Sequence, residues 1–427
     1  MVIHPHVPKL EQLLPHALES EHFVIHFGYR NPPVGGFGPQ GTRDRAVGLG
    51  VHGIRDRAVA LTYMNALESL YHAMTASPWH REAPMTDGGR THVYIADSEP
   101  YTFHRRMVPF IVLSSRSNEP TTQAELYRAA AEAVHEATHL FNFREHPMND
   151  PNSKAWEWFD EGIAVLMETL VASGNTDYFR FLMNWIDMPE VSLDDPKGKY
   201  QAGMFVRYLS KRLGIRFIND VWTKSRVGET PLQALARLMP PGQTFISPDP
   251  TVSDIFASGY CIDPYFMWDH DCAGLAPDII LRYGERAVTE SLVLRRGSEE
   301  TIEGLLNHLA CRYYRFYLRG DVSSLRFSLY ITDAPQATPL KAEVAVVTRE
   351  KCRRVVVPLR STASVPVGVA GKLSVTLNIN DPEEIDHLVL VISNCGLRAA
   401  RSQRGGPHDD KKPYVIEAAA PPGGFKP

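Results

Sequence analysis

The feature that most constrains this chain is a short pattern of two histidines and a glutamate inside a helical stretch. His135-Glu136-Ala137-Thr138-His139 lies in the run AEAVHEATHLFNF, which begins at residue 131. A helix rises about 1.5 Å per residue with about 3.6 residues per turn, so His135 and His139 share one face. Both imidazoles can therefore reach one point beside the helix, with Glu136 next to that point. Two neutral imidazoles at this spacing are typical ligands of Zn²⁺.

The stretch that follows the motif carries a row of acidic residues that could supply a third metal ligand. From Ser153 the chain reads SKAWEWFDEGIAVLMETL. On a helix, Glu157, Glu161 and Glu168 would lie on one face because they are separated by four and seven residues. A third protein ligand would leave one position of a tetrahedral zinc site for water. A solvent-exposed acidic face is the alternative explanation of this row.

The segment WFDEGIAVLME, residues 158–168, resembles the W-x-N-E-G-x-A-x-x-x-E block of gluzincin metallopeptidases. In that family the Glu before the Gly is the third zinc ligand, and Glu161 occupies that position here. Asp160 stands where the family's aminopeptidases often have Asn. The 21 residues between His139 and Glu161 exceed the separation in thermolysin-like and aminopeptidase relatives and suit collagenase-like ones. Because of this difference, Glu157 stays open as the alternative ligand.

The resemblance to gluzincins implies a zinc-dependent peptidase that acts on proteins or peptides. Glu136 would be the general base that takes a proton from the zinc-bound water as it attacks the carbonyl carbon. One further hydrogen-bond donor is expected for the oxyanion, and its candidates are Tyr200, which opens a predicted helix, and His270 in the segment WDHD. Glu168 is expected to hold an imidazole N–H or an arginine rather than the ion.

Two other functions are alternatives: a binding or adhesion protein on an inert zincin scaffold, and a zinc hydrolase of a non-peptide substrate.

The sequence motifs of other catalytic classes are not favoured. A metzincin motif would need Gly and His where Asn142 and Glu145 stand. The glycines at 35–38 lack the Lys-Ser/Thr ending of a phosphate-binding loop, and the chain contains no Gly-x-Ser-x-Gly.

Composition limits the classes of partner that we expect. The chain has 427 residues, of which 44% are hydrophobic and 22% charged, and its formal net charge is −4. This is a globular composition with enough length for two domains. The near-neutral charge predicts no nucleic-acid partner, and the lack of an apolar run of about 18 residues predicts no membrane span. Residues 1–20 do not read as a signal peptide. The compartment is left open, with a secreted or extracellular location favoured.

The order of predicted elements indicates an α+β protein. We expect a zincin-like peptidase unit, made of a small mixed sheet with the motif helix and then a helical subdomain, followed by an all-β sandwich domain. The predicted boundaries are 1–145 for the α/β subdomain, 146–300 for the helical subdomain with the third ligand, 308–397 for the sandwich and 398–427 for a flexible tail.

Three strands and one helix are predicted before the motif. The strands are His22–Phe27, Thr91–Ala96 and Met107–Leu113, and the helix covers about 55–76. Pro109 has no N–H to donate to a neighbouring strand, so we expect the third strand at a sheet edge. An extended peptide could pair with such an edge through backbone hydrogen bonds.

The last part of the chain has a sequence pattern typical of β-strands rather than helices. From about 308, six or seven short β-rich runs alternate with turn signals, which is typical of a β-sandwich that could bind a protein or glycan target. A helix is predicted before it, over about 278–292. Residues 398–427 are rich in Arg, Gly, Pro and Lys without a period, so we expect a loose tail.

Overall fold

The mixed α+β class predicted from the sequence is confirmed by the fold. The chain forms two compact units, residues 1–182 with 199–234 and residues 183–198 with 235–427. The structure is a computed structural model. It describes residues 14, 16–27, 57–81, 89–96, 101–103, 110–114, 122–145, 153–172, 184–185, 187–195, 198–247, 252–262, 288–331, 340–348, 354–361, 371–396 and 412–422.

The first unit contains a mixed five-stranded sheet. Its strands are β1 (His16–Glu19), β2 (Phe23–Phe27), β3 (Thr91–Ala96), β4 (Tyr101–Phe103) and β5 (Phe110–Ser114). Their order across the sheet is β1-β2-β3-β5-β4. β2, β3 and β5 run parallel to one another, whereas β1 and β4 pair antiparallel at the two edges. The predicted strands at 22–27 and 91–96 are confirmed.

Helices surround the predicted site in this unit. The described α-helices of the chain are α1 (Arg57–Thr75), α2 (Gln123–Glu145), α3 (Ser153–Val171), α4 (Ala202–Leu213), α5 (Ile215–Thr223) and α6 (Pro231–Leu238). The predicted helices at 55–76, around the H-E-x-x-H motif and from Ser153 are confirmed. α2 begins with a capping box, because the Glu125 carboxylate accepts from the Thr122 N–H and the Thr122 hydroxyl accepts from the Glu125 N–H.

Aromatic residues hold the site-bearing helices together. The Trp222 indole N–H of α5 donates to the backbone oxygen of Asn142 of α2 at 3.0 Å. The Trp222 ring also lies edge-to-face with Trp156 of α3 at a centroid distance of 5.3 Å and stacks with Phe159 at 6.4 Å. Trp156 and Phe159 are almost fully buried. This packing fixes α2 and α3 relative to each other, since aromatic side chains bury large areas with preferred geometries.

α3 and α4 approach closely at two glycines. A Cβ added to Gly162 would lie 2.6 Å from Val206 Cγ2 and 3.3 Å from the Ala202 backbone oxygen, and one added to Gly203 would lie 2.5 Å from Val165 Cγ1. Val has one preferred rotamer in a helix, so it cannot easily move aside. These glycines therefore set the distance between α3 and α4.

Alanine at either glycine is expected to destabilise the first unit. The clash costs about 1–3 kcal/mol, more than the roughly 1 kcal/mol that alanine gains over glycine within a helix. Urea unfolding followed by tryptophan fluorescence should show a lower free energy of unfolding for Gly162→Ala and Gly203→Ala. Leu170→Ala, at an exposed position of α3, is the matched control and should unfold like the wild type. Equal stability of all variants would show that the helices are not in close contact.

The predicted edge position of the strand around Pro109 is wrong. β5 pairs with β3 on one side and with β4 on the other, so the edge strand is β4. Pro109 itself lies outside the described residues, and it precedes the first residue of β5. A proline before a strand removes no hydrogen bond from the strand's own ladder, which is why the rule for interior prolines did not apply.

The second unit contains two five-stranded sheets. Its strands are β6 (Val288–Arg295), β7 (Glu299–Leu306), β8 (Ala310–Arg319), β9 (Ser324–Ile331), β10 (Leu340–Thr348), β11 (Arg354–Pro358), β12 (Arg360–Ser361), β13 (Gly371–Asn378), β14 (Ile385–Asn394) and β15 (Lys412–Ala419). The sheet orders are β11-β10-β14-β8-β6 and β12-β13-β9-β15-β7. Phe316 and Leu390 of the first sheet share a buried core with Leu329 and Ile416 of the second, as in a β-sandwich.

Two boundaries of the predicted β region are wrong. Residues 288–306 form β6 and β7, so the sheets begin before residue 308. A helix was predicted over 278–292, but residues 288–292 belong to strand β6. Residues 412–419 of the predicted loose tail form β15, which pairs with β7 and β9. Alternating burial of Tyr414, Ile416 and Ala418 explains this strand, and the flanking Gly and Pro residues concealed the pattern.

None of the described helices is long and apolar enough to cross a membrane.

Candidate metal centre

The structure brings the two histidines of the motif together with one glutamate of the next helix. His135 and His139 lie one turn apart on α2, with ring centroids 5.0 Å apart. Glu161 of α3 places its Oε2 atom 3.0 Å from His135 Nε2 and 3.8 Å from His139 Nε2. One possible ligand atom from each residue lies within 4.8 Å of the other two, and all three residues are buried. They could hold a metal ion.

The opposite nitrogen of each imidazole is held by a carboxylate. His135 Nδ1 donates to Glu168 Oε1 at 2.6 Å, and His139 Nδ1 donates to Asp160 Oδ2 at 2.8 Å. Asp160 is fixed in turn, because its Oδ1 accepts from Asn142 Nδ2 at 2.7 Å. A proton on each Nδ1 leaves the Nε2 lone pairs for a metal, and the carboxylates orient the rings and raise their basicity.

The donor set fits a divalent transition metal. Two imidazole nitrogens and one carboxylate oxygen make three protein ligands, which is the number found in open zinc sites. A buried carboxylate requires a compensating cation or hydrogen bonds, and α3 contributes Asp160, Glu161 and Glu168 to the small volume around His135 and His139.

The pKa shifts within the cluster show how the charges of its histidines and carboxylates are balanced. Burial lowers the pKa of His135, but its hydrogen bonds to Glu161 and Glu168 outweigh burial and raise the pKa well above its usual value. Burial also lowers the pKa of His139, but the charge and hydrogen bond of Asp160 prevail and raise it to about 9. Burial raises the pKa of Glu161, yet contacts with His135, His139 and Lys199 lower it to about 2. Protons on the imidazoles therefore balance the carboxylates when no metal is bound.

Metal binding should therefore release protons and strengthen as the pH rises. A metal ligand must be deprotonated, and His139 loses its proton only near pH 9. Between pH 6 and pH 9 we expect the apparent Zn²⁺ affinity to increase steadily. Titration calorimetry at pH 7 in buffers of different ionisation enthalpy should show proton release on binding. An affinity that does not change over this pH range would contradict the charge balance described for the cluster.

The other residues predicted from the sequence occupy different positions. Glu157, the alternative ligand, is not in the cluster of three; its half-exposed side chain accepts from Lys199 Nζ at 3.1 Å. Glu136 is buried on α2. Tyr200 has its ring centroid 5.7 Å from that of His135, and burial raises the pKa of its hydroxyl. His270 lies outside the described residues.

Three site residues were missed as such in the sequence. Asp160 was noted only as a departure from the gluzincin pattern, although its place beside Glu161 was a usable signal. Asn142 lies three residues after His139 and thus on the same face of α2. Lys199 carried no signal, because its contact with Glu161 spans 38 residues.

Removal of a carboxylate behind an imidazole should weaken metal binding. Glu168→Ala and Asp160→Ala each leave an Nδ1–H without its acceptor, and a loss of metal affinity of about 10- to 100-fold is expected for such a change. Competition with a chromogenic chelator gives the dissociation constants. Asp220→Asn, which alters a carboxylate of α5 paired with Lys224, is the control and should bind metal like the wild type. Wild-type affinity in both alanine variants would exclude the proposed orienting role.

Fold and site together define a mixed α+β protein with a buried His-His-Glu cluster between two helices. Residues 119–247, which include α2 and α3, match the model of a family of unknown function (DUF6055). No curated protein matches the chain.

Two solved structures show low similarity. One is CorA, a surface-associated copper-binding protein of Methylomicrobium album BG8, with 10% identity over 31% of this chain and 98% of that one, at a TM-score of 0.19. The other is the family GH115 4-O-methyl-α-glucuronidase BtGH115A, with specificity for decorated arabinogalactans, at 9% identity and a TM-score of 0.17. That match covers 84% of this chain and 37% of the enzyme. Such low TM-scores carry no argument about fold or function.

Proposed function

We propose that this chain is a zinc-dependent metallopeptidase of gluzincin type. The observation that carries the proposal is the convergence of His135 Nε2, His139 Nε2 and Glu161 Oε2, while both Nδ1 atoms donate to carboxylates. His135, His139 and Glu161 would hold the Zn²⁺. The ion would supply Lewis acidity and would lower the pKa of a bound water to about 7.

Glu136 is the general base in this proposal. It follows His135 directly on α2 and is buried, and its charge acts on the hydroxyl of Tyr200, the residue whose ring lies beside His135. The carboxylate accepts a proton from the attacking water and passes it to the amine nitrogen of the leaving group. Loss of this glutamate is the simplest way to lose activity, and its presence argues against the inert binding scaffold.

Tyr200 is the first candidate for stabilising the oxyanion. Its ring lies beside that of His135, and about 40% of the residue is exposed. Because burial raises the pKa of this hydroxyl, it stays protonated at neutral pH and can donate a hydrogen bond to the carbonyl oxygen. His270 is the second candidate.

A peptide is the substrate that the sheet of the first unit suits best. β4 lies against α2 and, among the described strands, pairs with β5 alone, so none of those strands occupies its other edge. Backbone hydrogen bonds at that edge would hold a peptide beside the motif helix. We assign the first unit, residues 1–182 with 199–234, to the zincin-like peptidase unit, and the β-sheets of the second unit to a module that binds a protein or glycan target or caps the enzyme.

Replacement of Glu136 tests this function directly. Glu136→Gln should retain zinc, measured by elemental analysis, and should lose about 10²- to 10⁴-fold in kcat/KM on a cleavable peptide from a library, because general-base catalysis contributes about that much. Glu132→Gln, one turn earlier on α2, is the matched control and should cleave like the wild type.

Other outcomes would select the alternatives. Zinc binding without Glu136-dependent cleavage of any peptide would favour a non-catalytic binding protein or a zinc hydrolase of a non-peptide substrate. Purified protein that binds no zinc would reject both zinc hydrolases and would favour the non-catalytic binding protein.

A further inference from the structure

Lys199, three residues before α4, contacts Glu161 of the metal cluster. Lys199 Nζ donates to Glu161 Oε1 at 2.6 Å. The two oxygens of this carboxylate thus face different partners, since Oε2 points towards His135 Nε2 and His139 Nε2. A short hydrogen bond between an ammonium and a carboxylate is among the stronger kinds in proteins.

The lysine side chain is itself fixed. Its ammonium also donates to Glu157 Oε1 at 3.1 Å, and it lies 5.1 Å from the centroid of the Tyr200 ring, a distance that allows a cation–π interaction. About 25% of the Lys199 side chain is exposed. Two carboxylates already compensate its charge, which makes it a poor site for binding an anionic substrate and a good one for holding Glu161.

We propose that Lys199 is a positioning residue that makes Glu161 a one-oxygen ligand. This inference rests on the proposed function. A carboxylate can bind a metal through one oxygen or through both. Because Lys199 occupies Oε1, only Oε2 is available to the ion, and the coordination position that a second carboxylate oxygen would take stays open for water. Tyr200 follows Lys199 in sequence, so the same contact also holds the candidate oxyanion donor near the cluster.

The coordination number of bound Co²⁺ tests this role without relying on activity. Four-coordinate Co²⁺ absorbs visible light much more strongly than five- or six-coordinate Co²⁺, and geometry is diagnostic of a metal site. Lys199→Met keeps an unbranched side chain only one atom shorter and removes the charge and the hydrogen-bond donors. We expect wild-type protein loaded with Co²⁺ to show intense absorption and Lys199→Met to lose much of it, as Glu161 then binds through both oxygens.

Two variants serve as controls. Lys199→Arg retains a donor for Oε1 and should restore the intense spectrum. Glu157→Gln alters the other carboxylate that Lys199 contacts and should leave the spectrum unchanged, because the contact with Glu161 persists. Thermal unfolding of each variant establishes that a spectral change does not reflect loss of the fold.

The outcomes separate this inference from the proposed function. If wild type and Lys199→Met absorb equally, Lys199 does not control the coordination of Glu161, whereas the metallopeptidase proposal stands. The same conclusion follows if wild-type protein binds Co²⁺ with only weak absorption. If wild-type protein binds neither Co²⁺ nor Zn²⁺, both proposals fail.

Discussion

The structure of the first unit depends on how two buried imidazoles balance a surplus of buried carboxylates. Asp160, Glu161 and Glu168 project from one helix towards His135 and His139, and all five residues are buried. Carboxylates in such surroundings are stable only when they are hydrogen bonded and compensated by positive charge. Imidazolium protons and Lys199 can provide that charge, and so can a divalent ion. The same arrangement that raises the pKa values of the histidines therefore prepares the cluster for a metal.

One helix links this chemistry to the fold. α3 presents Asp160, Glu161 and Glu168 to the metal cluster, and its Trp156 packs against α5. Gly162, next to the third candidate ligand, lets α4 approach closely. The close approach of α4 brings with it the segment that carries Lys199 and Tyr200. Helix α3 thus carries the candidate ligand Glu161 and the two carboxylates that orient the imidazoles. Its close contact with α4 also determines where Lys199 and Tyr200 lie.

Local patterns made part of this structure predictable from the sequence. The spacing of His135 and His139 predicted a shared helix face. The resemblance of the next helix to gluzincins implied Glu161 as the third ligand, and Glu168 was expected to hold an imidazole N–H or an arginine. Long-range contacts were not predictable in the same way, because nothing in the local sequence connects Lys199 with Glu161. The choice between Glu157 and Glu161 likewise needed the packing of α3 against α2. β15 was missed because Gly- and Pro-rich flanks dominate the composition around a short buried strand.

The central claim is that two imidazole nitrogens and one glutamate oxygen hold a zinc ion in an open site. X-ray absorption at the zinc edge of the zinc-loaded protein tests it most directly, since it separates sulfur from nitrogen or oxygen neighbours, counts imidazole rings by their outer-shell scattering and gives the metal–ligand distances. Four nitrogen or oxygen neighbours at about 2.0–2.2 Å, two of them from imidazoles, would agree with this account. Sulfur in the shell, or a zinc ion that retains only water ligands, would contradict it.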